Sequence, residues 1–517
     1  MYAVLFALTA AFRFLALKNG FVNDHFVYIS GGRQMLFGDW PTRDWIDPGL
    51  PLMFAASAFA QKVFGSTLFA EAMLVSIAFG LGAAFTAAAV RRLTGSIRLA
   101  VFAALVEVAV VPRTYSYPKI VAYAFEFWLY GRYVAKPTSM RLFAMAAGVA
   151  VAFMFRHDHG LFLAVGAAAT IMMVRPAMEW RITARDLALF GSTVVVLLLP
   201  YLVYVQVYGG LWLYLRNGVE FSQREASREW HVWPRVFGDQ RPLESAMVYQ
   251  LYVVPIIALV VLAAARLRQA AAWVVPVALV GLIVDFSFIR DPLRTRLADA
   301  IVPAVVVGSW LLARAFAPSR VRLVKIPLAL AFTGLMGASV LTVGTTQQEI
   351  DRAGLLGRWQ EIPGRFRERT SDLRNRFVDY QMPTRASRVL VPFFQYVDRC
   401  TSADDRLLIG GFLVEVPFYT QRLFAGGQEY FGAYFTSAAN EQFAFDRLRQ
   451  QHVPFFLLPA DQINDFDKDF PLVGAWVKDH YLHLAEVPLT DDESVHIFVT
   501  REGASGRDHE TGWPCFR

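Results

Sequence analysis

The sequence predicts a polytopic α-helical membrane protein with a small α/β domain at its C-terminal end. Of its 517 residues, 56% are hydrophobic and 14% are aromatic, which exceeds the usual range of soluble globular proteins. The apolar residues form blocks of roughly bilayer length up to about residue 343, and a charged, proline-punctuated stretch follows. We therefore divide the chain into a membrane domain (1-344), a basic amphipathic connector (345-395) and an α/β domain (396-517).

The apolar blocks define eleven candidate membrane spans. The first block has neither a basic n-region nor a small-residue cleavage site, so we expect a span there rather than a cleaved signal. The block 50-64 is too short to cross a bilayer, and we interpret it as an interfacial or re-entrant helix. The spans are residues 1-17, 67-90, 97-112, 120-135, 140-155, 161-174, 187-208, 247-265, 271-289, 298-317 and 322-343.

Arginine and lysine recur in every second loop between these spans. The basic loops are residues 91-98, 131-141, 175-185, 266-269 and 314-325. Because basic loops stay in the cytoplasm, this pattern predicts a multi-pass cell-membrane protein with a cytoplasmic N-terminus. The acidic loop 18-50 and everything after residue 343 are then extracytoplasmic. The same pattern accounts for the net charge of +7, so we expect no nucleic-acid partner.

The C-terminal region alternates strand-like and helix-like segments, which is typical of a small α/β domain. We expect strands at 406-411, 422-427, 454-460 and 494-500, and helical spacing in "NEQFAFDRLRQQHV" and "PLVGAWVKDHYLHLAEV". The Arg-rich stretch 357-377 is expected to be helical, with either a solvated face or a contact with lipid phosphates. Cys400 and Cys515 fall in the predicted oxidising compartment, where a disulfide and two unpaired buried thiols are both open interpretations.

One stretch concentrates acidic residues between apolar segments. The stretch "NDHFVYISGGRQMLFGDWPTRDWIDPGLPL" (23-52) carries Asp24, Asp39, Asp44 and Asp47, and Asp24 follows the first span directly. An apolar-periodic segment follows Asp24, and a proline-rich run ends the stretch. Charged residues near a bilayer tend to mark function, so this loop is the main candidate for a functional site.

This arrangement resembles the first outward loop of the GT-C glycosyltransferases, polytopic enzymes that use polyprenyl-phosphate-linked sugars. Protein O-mannosyltransferases and lipid A aminoarabinose transferases are examples. The resemblance extends in outline over the whole chain, since that class has about a dozen spans and often an outward soluble C-terminal domain. Many relatives have a second acidic residue where this chain has His25. The matching residues are Asp24, Tyr28, Gly38, Pro41, Asp44, Pro48, Pro51 and Leu52.

The resemblance implies transfer of a sugar from a polyprenyl-phosphate donor to an extracytoplasmic glycan, lipid or protein by inverting direct displacement. Such a transfer needs a base for the acceptor hydroxyl and cations for the departing phosphate. Asp24 is our candidate base, and the alternative is a cap for a helix that starts near Phe26. Asp44 and Asp47 are candidates to orient a sugar or to hold a divalent metal, but Asp47-Pro48 and the Asp39-Trp-Pro segment favour turns, which is the interpretation we place first.

The cations are expected to come from three other outward loops. Arg side chains hold phosphate bidentately, whereas for any single basic residue snorkelling to the interface is the alternative explanation. The candidate substrate-binding residues are Arg113, Lys119, Arg156, His157 and Arg294. No cofactor is assigned apart from the open question of a divalent metal, and the lipid bilayer and the lipid-linked donor are the expected partners. The long outward loop 209-246 is rich in Trp, Arg and Glu, which suits sugar binding.

A membrane transporter or lipid-linked-sugar flippase is the alternative function. It predicts charges deep within spans and an internal repeat. Glu107 and Glu126 lie inside spans and Asp285 lies near the outer end of one, and no repeat is evident. A structural scaffold is a third option, which leaves the aspartates without a role. The sequence therefore favours the glycosyltransferase.

Overall fold

The computed structural model describes residues 1–175, 177–228, 242–265, 267–287, 293–316, 345–432, 436–490 and 492–517. Up to residue 316 the helices are α1 (Tyr2–Ala16), α2 (Asp24–Leu36), α3 (Pro51–Phe64), α4 (Leu68–Thr94), α5 (Ile97–Ala109), α6 (Tyr117–Ala135), α7 (Ser139–Phe155), α8 (His157–Val174), α9 (Trp180–Tyr208), α10 (Leu211–Arg228), α11 (Pro242–Ala265), α12 (Arg268–Ser287) and α13 (Leu293–Phe316). After residue 344 they are α14 (Thr345–Ala353), α15 (Ile362–Arg374), α16 (Arg385–Val389), α17 (Val391–Cys400), α18 (Val416–Thr420), α19 (Ala438–Leu448), α20 (Phe466–Asp469) and α21 (Pro471–His480).

Ten of the eleven predicted spans coincide with helices, namely α1, α4 to α9 and α11 to α13. The eleventh, 322-343, lies outside the described residues. Among the residues that are described, four segments are long and apolar enough to cross a bilayer: α4, α8, α9 and Ala270–Ser287 within α12. The chain is therefore a multi-pass helical membrane protein, while the count of eleven spans remains a prediction. Helix α3 has 14 residues and a length of about 21 Å, which is shorter than a bilayer core.

The chain divides into two compact units. The first contains Met1–Leu17, Val75–Tyr204 and the described parts of Glu229–Pro363. In it α6, α7, α8 and α12 pack together around buried aromatic residues such as Tyr123, Phe127 and Tyr130. Trp273 of α12 donates from its indole nitrogen to the carbonyl oxygen of Phe127 at 3.1 Å. The long α-helices of this unit thus form the predicted membrane core.

The second unit contains Lys18–Leu74, Val205–Arg228 and Gly364–Arg517. Its centre is a five-stranded sheet with strand order β2-β1-β3-β5-β4, in which β1 is parallel to β2 and β3, while β5 is antiparallel to β3 and β4. The strands are β1 (Arg406–Ile409), β2 (Leu423–Phe424), β3 (Phe455–Pro459), β4 (Tyr481–Pro488) and β5 (Ser494–Thr500), and β6 (Gly506–Arg507) pairs with β7 (Pro514–Cys515).

The four predicted strands contain β1, β2, β3 and β5, which confirms the α/β character of this region. The Arg-rich stretch contains α15, as expected. The expectation of a helix through 471-487 was wrong in its second half, because α21 ends at His480 and β4 follows. The structure joins Cys400 and Cys515 in a disulfide, which decides between the two interpretations of the cysteines.

Helices α2 and α3 of the second unit pack closely because α2 carries two adjacent glycines where they meet. A Cβ atom on Gly31 would lie 2.4 Å from the Phe54 ring, and one on Gly32 would lie 2.8 Å from the backbone nitrogen of Ala58. The buried Trp45, in the segment that connects the helices, packs edge-on against Phe54 and against Phe424 of β2. The acidic loop is therefore an ordered helical hairpin packed on the sheet.

Candidate functional site

Asp24 is the first residue of α2, and its side chain is exposed. The N-cap position is held by Asn23, which has a φ of 49°. Asp24 is therefore not the cap of a helix beginning near Phe26, as the alternative interpretation required. A carboxylate in the first turn of a helix is favoured by the helix dipole. Its role as a base stays a prediction.

A buried polar network lies directly behind Asp24. The His25 ring nitrogen Nε2 is 3.1 Å from Oε2 of Glu71, and the two side chains are 0% and 1% exposed. Ser57 donates to Oε1 of the same carboxylate at 2.5 Å. Gln61 donates to the Ile29 carbonyl oxygen and to Ser57 Oγ at 2.9 and 3.1 Å. The network ties the first turns of α2 to α3 and to the start of α4.

Asp44 organises a turn and reaches the α/β region. Its Oδ2 accepts from the Trp40 backbone N–H at 2.8 Å and from Arg43 Nε at 2.6 Å. Its Oδ1 lies 3.2 Å from Nη2 of Arg447, just before the end of α19. The same nitrogen of Arg447 donates to the Arg43 carbonyl oxygen at 2.7 Å. Asp44 thus fixes both the shape of the loop and its attachment.

Asp47 organises the entrance to α3. Its Oδ1 accepts from the backbone N–H groups of Gly49 and Leu50 at 2.8 and 2.9 Å, and its Oδ2 accepts from the Tyr214 hydroxyl at 3.1 Å. These contacts agree with the turn interpretation of Asp44 and Asp47. Carboxylate oxygens that already accept from N–H, hydroxyl and guanidinium donors are poorly placed to ligate a metal. This geometry does not favour a divalent metal at the two residues.

Further polar contacts fasten the hairpin to the edge of the sheet formed by β1 and β2. Asp39 pairs with Arg406 at 2.7 Å, and Arg33 donates to the Gln421 carbonyl oxygen at 2.7 Å. Two further contacts run from Gln34 Nε2 to the Phe424 carbonyl oxygen (2.9 Å) and from the Ile46 N–H to the Gly427 carbonyl oxygen (3.0 Å). Three of the four loop aspartates therefore have structural partners, whereas Asp24 is exposed.

Glu429 is an acidic residue that the sequence analysis did not single out. It follows the Gly427 carbonyl that accepts from Ile46, and it interacts electrostatically with Asp47. Its Oε1 is buried without a hydrogen-bond partner among the described residues. Burial, with a smaller contribution from Asp47, raises the pKa of Glu429 to about 8. The group is therefore largely protonated at neutral pH.

The basic candidates belong to the first unit. Arg156 and His157 lie where α7 meets α8, and Arg156 pairs with Asp158 at 2.9 Å. Lys119, which is 3% exposed near the start of α6, interacts electrostatically with the same carboxylate. Arg113 is exposed. Lys119 and Arg156 are thus brought together around Asp158.

Two other basic candidates differ in what the structure shows of them. His157 Nδ1 is 2.8 Å from the Phe153 carbonyl oxygen, so this ring nitrogen carries the proton and donates. Arg294 lies in the backbone range of α13, but its side chain is outside the described residues. The assignment of all the substrate-binding residues stays a prediction.

The chain resembles known proteins in its structure rather than in its sequence. No family model and no curated protein sequence matches the chain. Among solved structures the chain is similar to ArnT from Cupriavidus metallidurans, crystallised with undecaprenyl phosphate bound. The alignment covers 96% of this chain and 98% of that chain, with a TM-score of 0.54 and 15% sequence identity. ArnT is a GT-C lipid A aminoarabinose transferase, so the resemblance predicted from the sequence is confirmed at the level of the fold.

Proposed function

We propose that the chain is a membrane glycosyltransferase of the GT-C type that moves a sugar from a polyprenyl-phosphate donor to an extracytoplasmic acceptor in cell-envelope glycosylation. The observation that carries the proposal is the likeness to ArnT over 96% of the chain, because that protein was crystallised with undecaprenyl phosphate. The exposed Asp24 at the start of α2 supports it independently.

The proposed reaction is a single inverting displacement. The acceptor hydroxyl oxygen attacks the anomeric carbon, and its proton passes to the Asp24 carboxylate. The bond between the anomeric carbon and the phosphate oxygen breaks, and the polyprenyl phosphate leaves with the electron pair. A positioned base contributes typically about 10²- to 10⁴-fold to such a step. The exposed position of Asp24 leaves room for an acceptor to approach.

The basic residues of the first unit are proposed to stabilise the phosphate. Arg113, Arg156 and Arg294 are suited to bidentate hydrogen bonds with phosphate oxygens, and Lys119 acts as a point charge. His157 is proposed to contribute a hydrogen bond. The contacts of Asp44 and Asp47 support a role in holding the acidic loop rather than in touching the sugar.

Asp24→Asn tests the role of the base. Purified protein in vesicles is supplied with undecaprenyl phosphate, and then with a panel of labelled undecaprenyl-phosphate hexoses and pentoses together with envelope acceptors. We expect the variant to bind undecaprenyl phosphate as the wild type does and to transfer about 10²- to 10⁴-fold more slowly. Asp404→Asn, at an exposed position of the α/β region, is the matched control and should transfer normally.

One outcome would contradict the role of Asp24 as the base, and a different outcome would contradict the glycosyltransferase function. Transfer by Asp24→Asn at more than about a tenth of the wild-type rate is below the usual contribution of a base, and would remove that role from Asp24. Wild-type protein that binds no undecaprenyl phosphate and transfers no sugar would reject the glycosyltransferase itself.

The proposal also requires the acidic loop and the α/β region to face outward. Lys136 follows α6 in a loop predicted to be cytoplasmic, and Lys468 is exposed in α20. We expect an impermeant maleimide to label Lys468→Cys but not Lys136→Cys in intact cells. The reverse pattern would place Asp24 in the wrong compartment and contradict the proposed function.

A further inference from the structure

Two histidines face each other at the free edge of the sheet, on strands that the proposed reaction does not use. His483 lies in β4 and His496 in β5, and β4 is the outermost strand next to β5 in the sheet. Nε2 of His483 is 3.0 Å from Nδ1 of His496. His483 is exposed and His496 is partly exposed, so solvent reaches the pair.

An irregularity in β4 brings a carboxylate to the same place. Residues three apart on a regular strand point to opposite faces, which would separate His483 from Glu486. The register shifts between His483 and Ala485, and such a bulge re-aims the side chains that follow it. As a result His483 is opposite Phe498, and Glu486 is opposite His496. Because His496 and Phe498 are two apart on β5, all four side chains share one face.

Phe498 packs against both imidazole rings. Its ring centroid is 5.4 Å from that of His483 and 6.3 Å from that of His496. Stacking of Phe498 on Phe456 fixes it against the hydrophobic core of the α/β region. The imidazoles therefore project from a rigid base, which reduces the conformational entropy that a ligand would have to remove.

We propose that His483, His496 and Glu486 form a binding site for a divalent transition-metal ion of the zinc class. Zinc–nitrogen bonds of about 2.0 to 2.1 Å in a tetrahedral arrangement place two ligand nitrogens about 3.3 Å apart. The observed separation of 3.0 Å needs only a small opening of the pair to reach this value. When the metal binds, the imidazole that donates between the two nitrogens changes tautomer, so its proton moves to its other ring nitrogen and both facing nitrogens present a lone pair.

Glu486 supplies the third ligand. Its Oε1 accepts from the Ser494 hydroxyl at 2.6 Å on the exposed surface, and the side chain would leave this bond and rotate toward His496 to reach the metal. Water completes the coordination from the open side. The two imidazoles select against Mg²⁺ and Ca²⁺, which prefer oxygen ligands.

Metal binding by the full-length protein tests the site. The chain is purified in detergent without a polyhistidine tag, stripped with a chelator, and dialysed against ZnSO₄ or, separately, MgCl₂. We expect one high-affinity zinc ion per wild-type chain and no corresponding magnesium ion. The variants His496→Gln and Glu486→Gln should bind zinc at least about tenfold more weakly than the wild type. Even the loss of a residue that only hydrogen-bonds to a metal ligand lowers metal affinity by about 10- to 100-fold.

His480→Ala is the matched control, because this exposed histidine ends α21 near the pair and stacks on Trp476 instead. It should bind zinc as the wild type does. Zinc should raise the melting temperature of the wild type but not of His496→Gln, while the metal-free melting temperatures agree and show that the variant folds. Zinc binding that is absent in the wild type, or equal in wild type and His496→Gln, would overturn the proposal.

Discussion

Replacement of Glu71 with leucine tests the buried network behind Asp24. The substitution removes the acceptor of both His25 and Ser57, at distances of 3.1 and 2.5 Å, in a region where the side chains of His25 and Glu71 are 0% and 1% exposed. Removal of one partner from a buried ion pair lowers stability by about 3 to 5 kcal/mol. The loss of two hydrogen bonds to a carboxylate, each worth about 1.5 to 3 kcal/mol, gives a similar range.

The assay is thermal unfolding of the purified protein in detergent, followed by intrinsic fluorescence. At about 2 to 4 °C per kcal/mol for a domain of 150 to 250 residues, Glu71→Leu should lower the melting temperature by about 6 to 20 °C. The control is Glu220→Gln, which breaks an exposed pair with Arg216 whose side chains are 37% and 63% exposed. Such a pair stabilises the fold by about 0.5 kcal/mol or less, so the control should have the same melting temperature as the wild type.

A double substitution distinguishes a broken pair from a simple loss of packing. In His25→Leu/Glu71→Leu no unpaired imidazole remains, and apolar replacement of both partners of a buried pair is often neutral. We therefore expect the double variant to be more stable than Glu71→Leu. If the effects of the two single substitutions add to within about 0.5 kcal/mol, His25 and Glu71 are not coupled and the reasoning is refuted.

Three more substitutions or treatments give clear expectations. Because burial raises the pKa of Glu429 from 4.5 to about 8, the folded protein holds a proton that the unfolded chain releases. The melting temperature should then fall as pH rises from about 4.5 to 8, and it should fall less steeply in Glu429→Gln; an equal decline in the two proteins would contradict the prediction. The Cys400–Cys515 disulfide links residues that are 115 apart in the sequence, so its reduction should lower the free energy of unfolding by about 4 to 5 kcal/mol. Free thiols in the unreduced protein would disprove the bridge. Arg447→Met removes the ion pair with Asp44 and should lower the free energy of unfolding by about 1 kcal/mol. Arg449→Met should not, because Arg449 lies over Phe445 instead, and equal effects would show that Arg447 does not attach the loop.

Ten of the predicted spans coincide with helices because hydropathy is a local property of each segment. The sequence also separates α3 from the spans by length alone. It does not predict β4, because the spacing of apolar residues in α21 continues into 481-487, and only pairing with β5 makes that segment a strand. Helix α10 falls in a segment that the sequence analysis treated as a loop, since its charged residues make it too polar for a membrane span.

The sequence indicates the acidic residues of the candidate site but not their partners. Asp24 is evident from its position after the first span, but the partners of the other acids are distant in sequence. Nothing near Asp44 indicates Arg447, which lies 403 residues away. His25 looks like a departure from the family pattern until the fold places the carboxylate of Glu71 beside it. Tertiary contacts of this kind leave no local pattern.

The long separation between the acidic loop and its partners has a consequence for biosynthesis. At about 5 to 20 residues per second, the 403 residues between Asp44 and Arg447 take about 20 to 80 s to translate. During that interval Asp39 and Asp44 lack their distant partners Arg406 and Arg447, and only the contacts within the loop can form. Completion of the last hundred residues of the chain, rather than insertion of its membrane helices, therefore sets the moment at which the loop around Asp24 reaches its final shape.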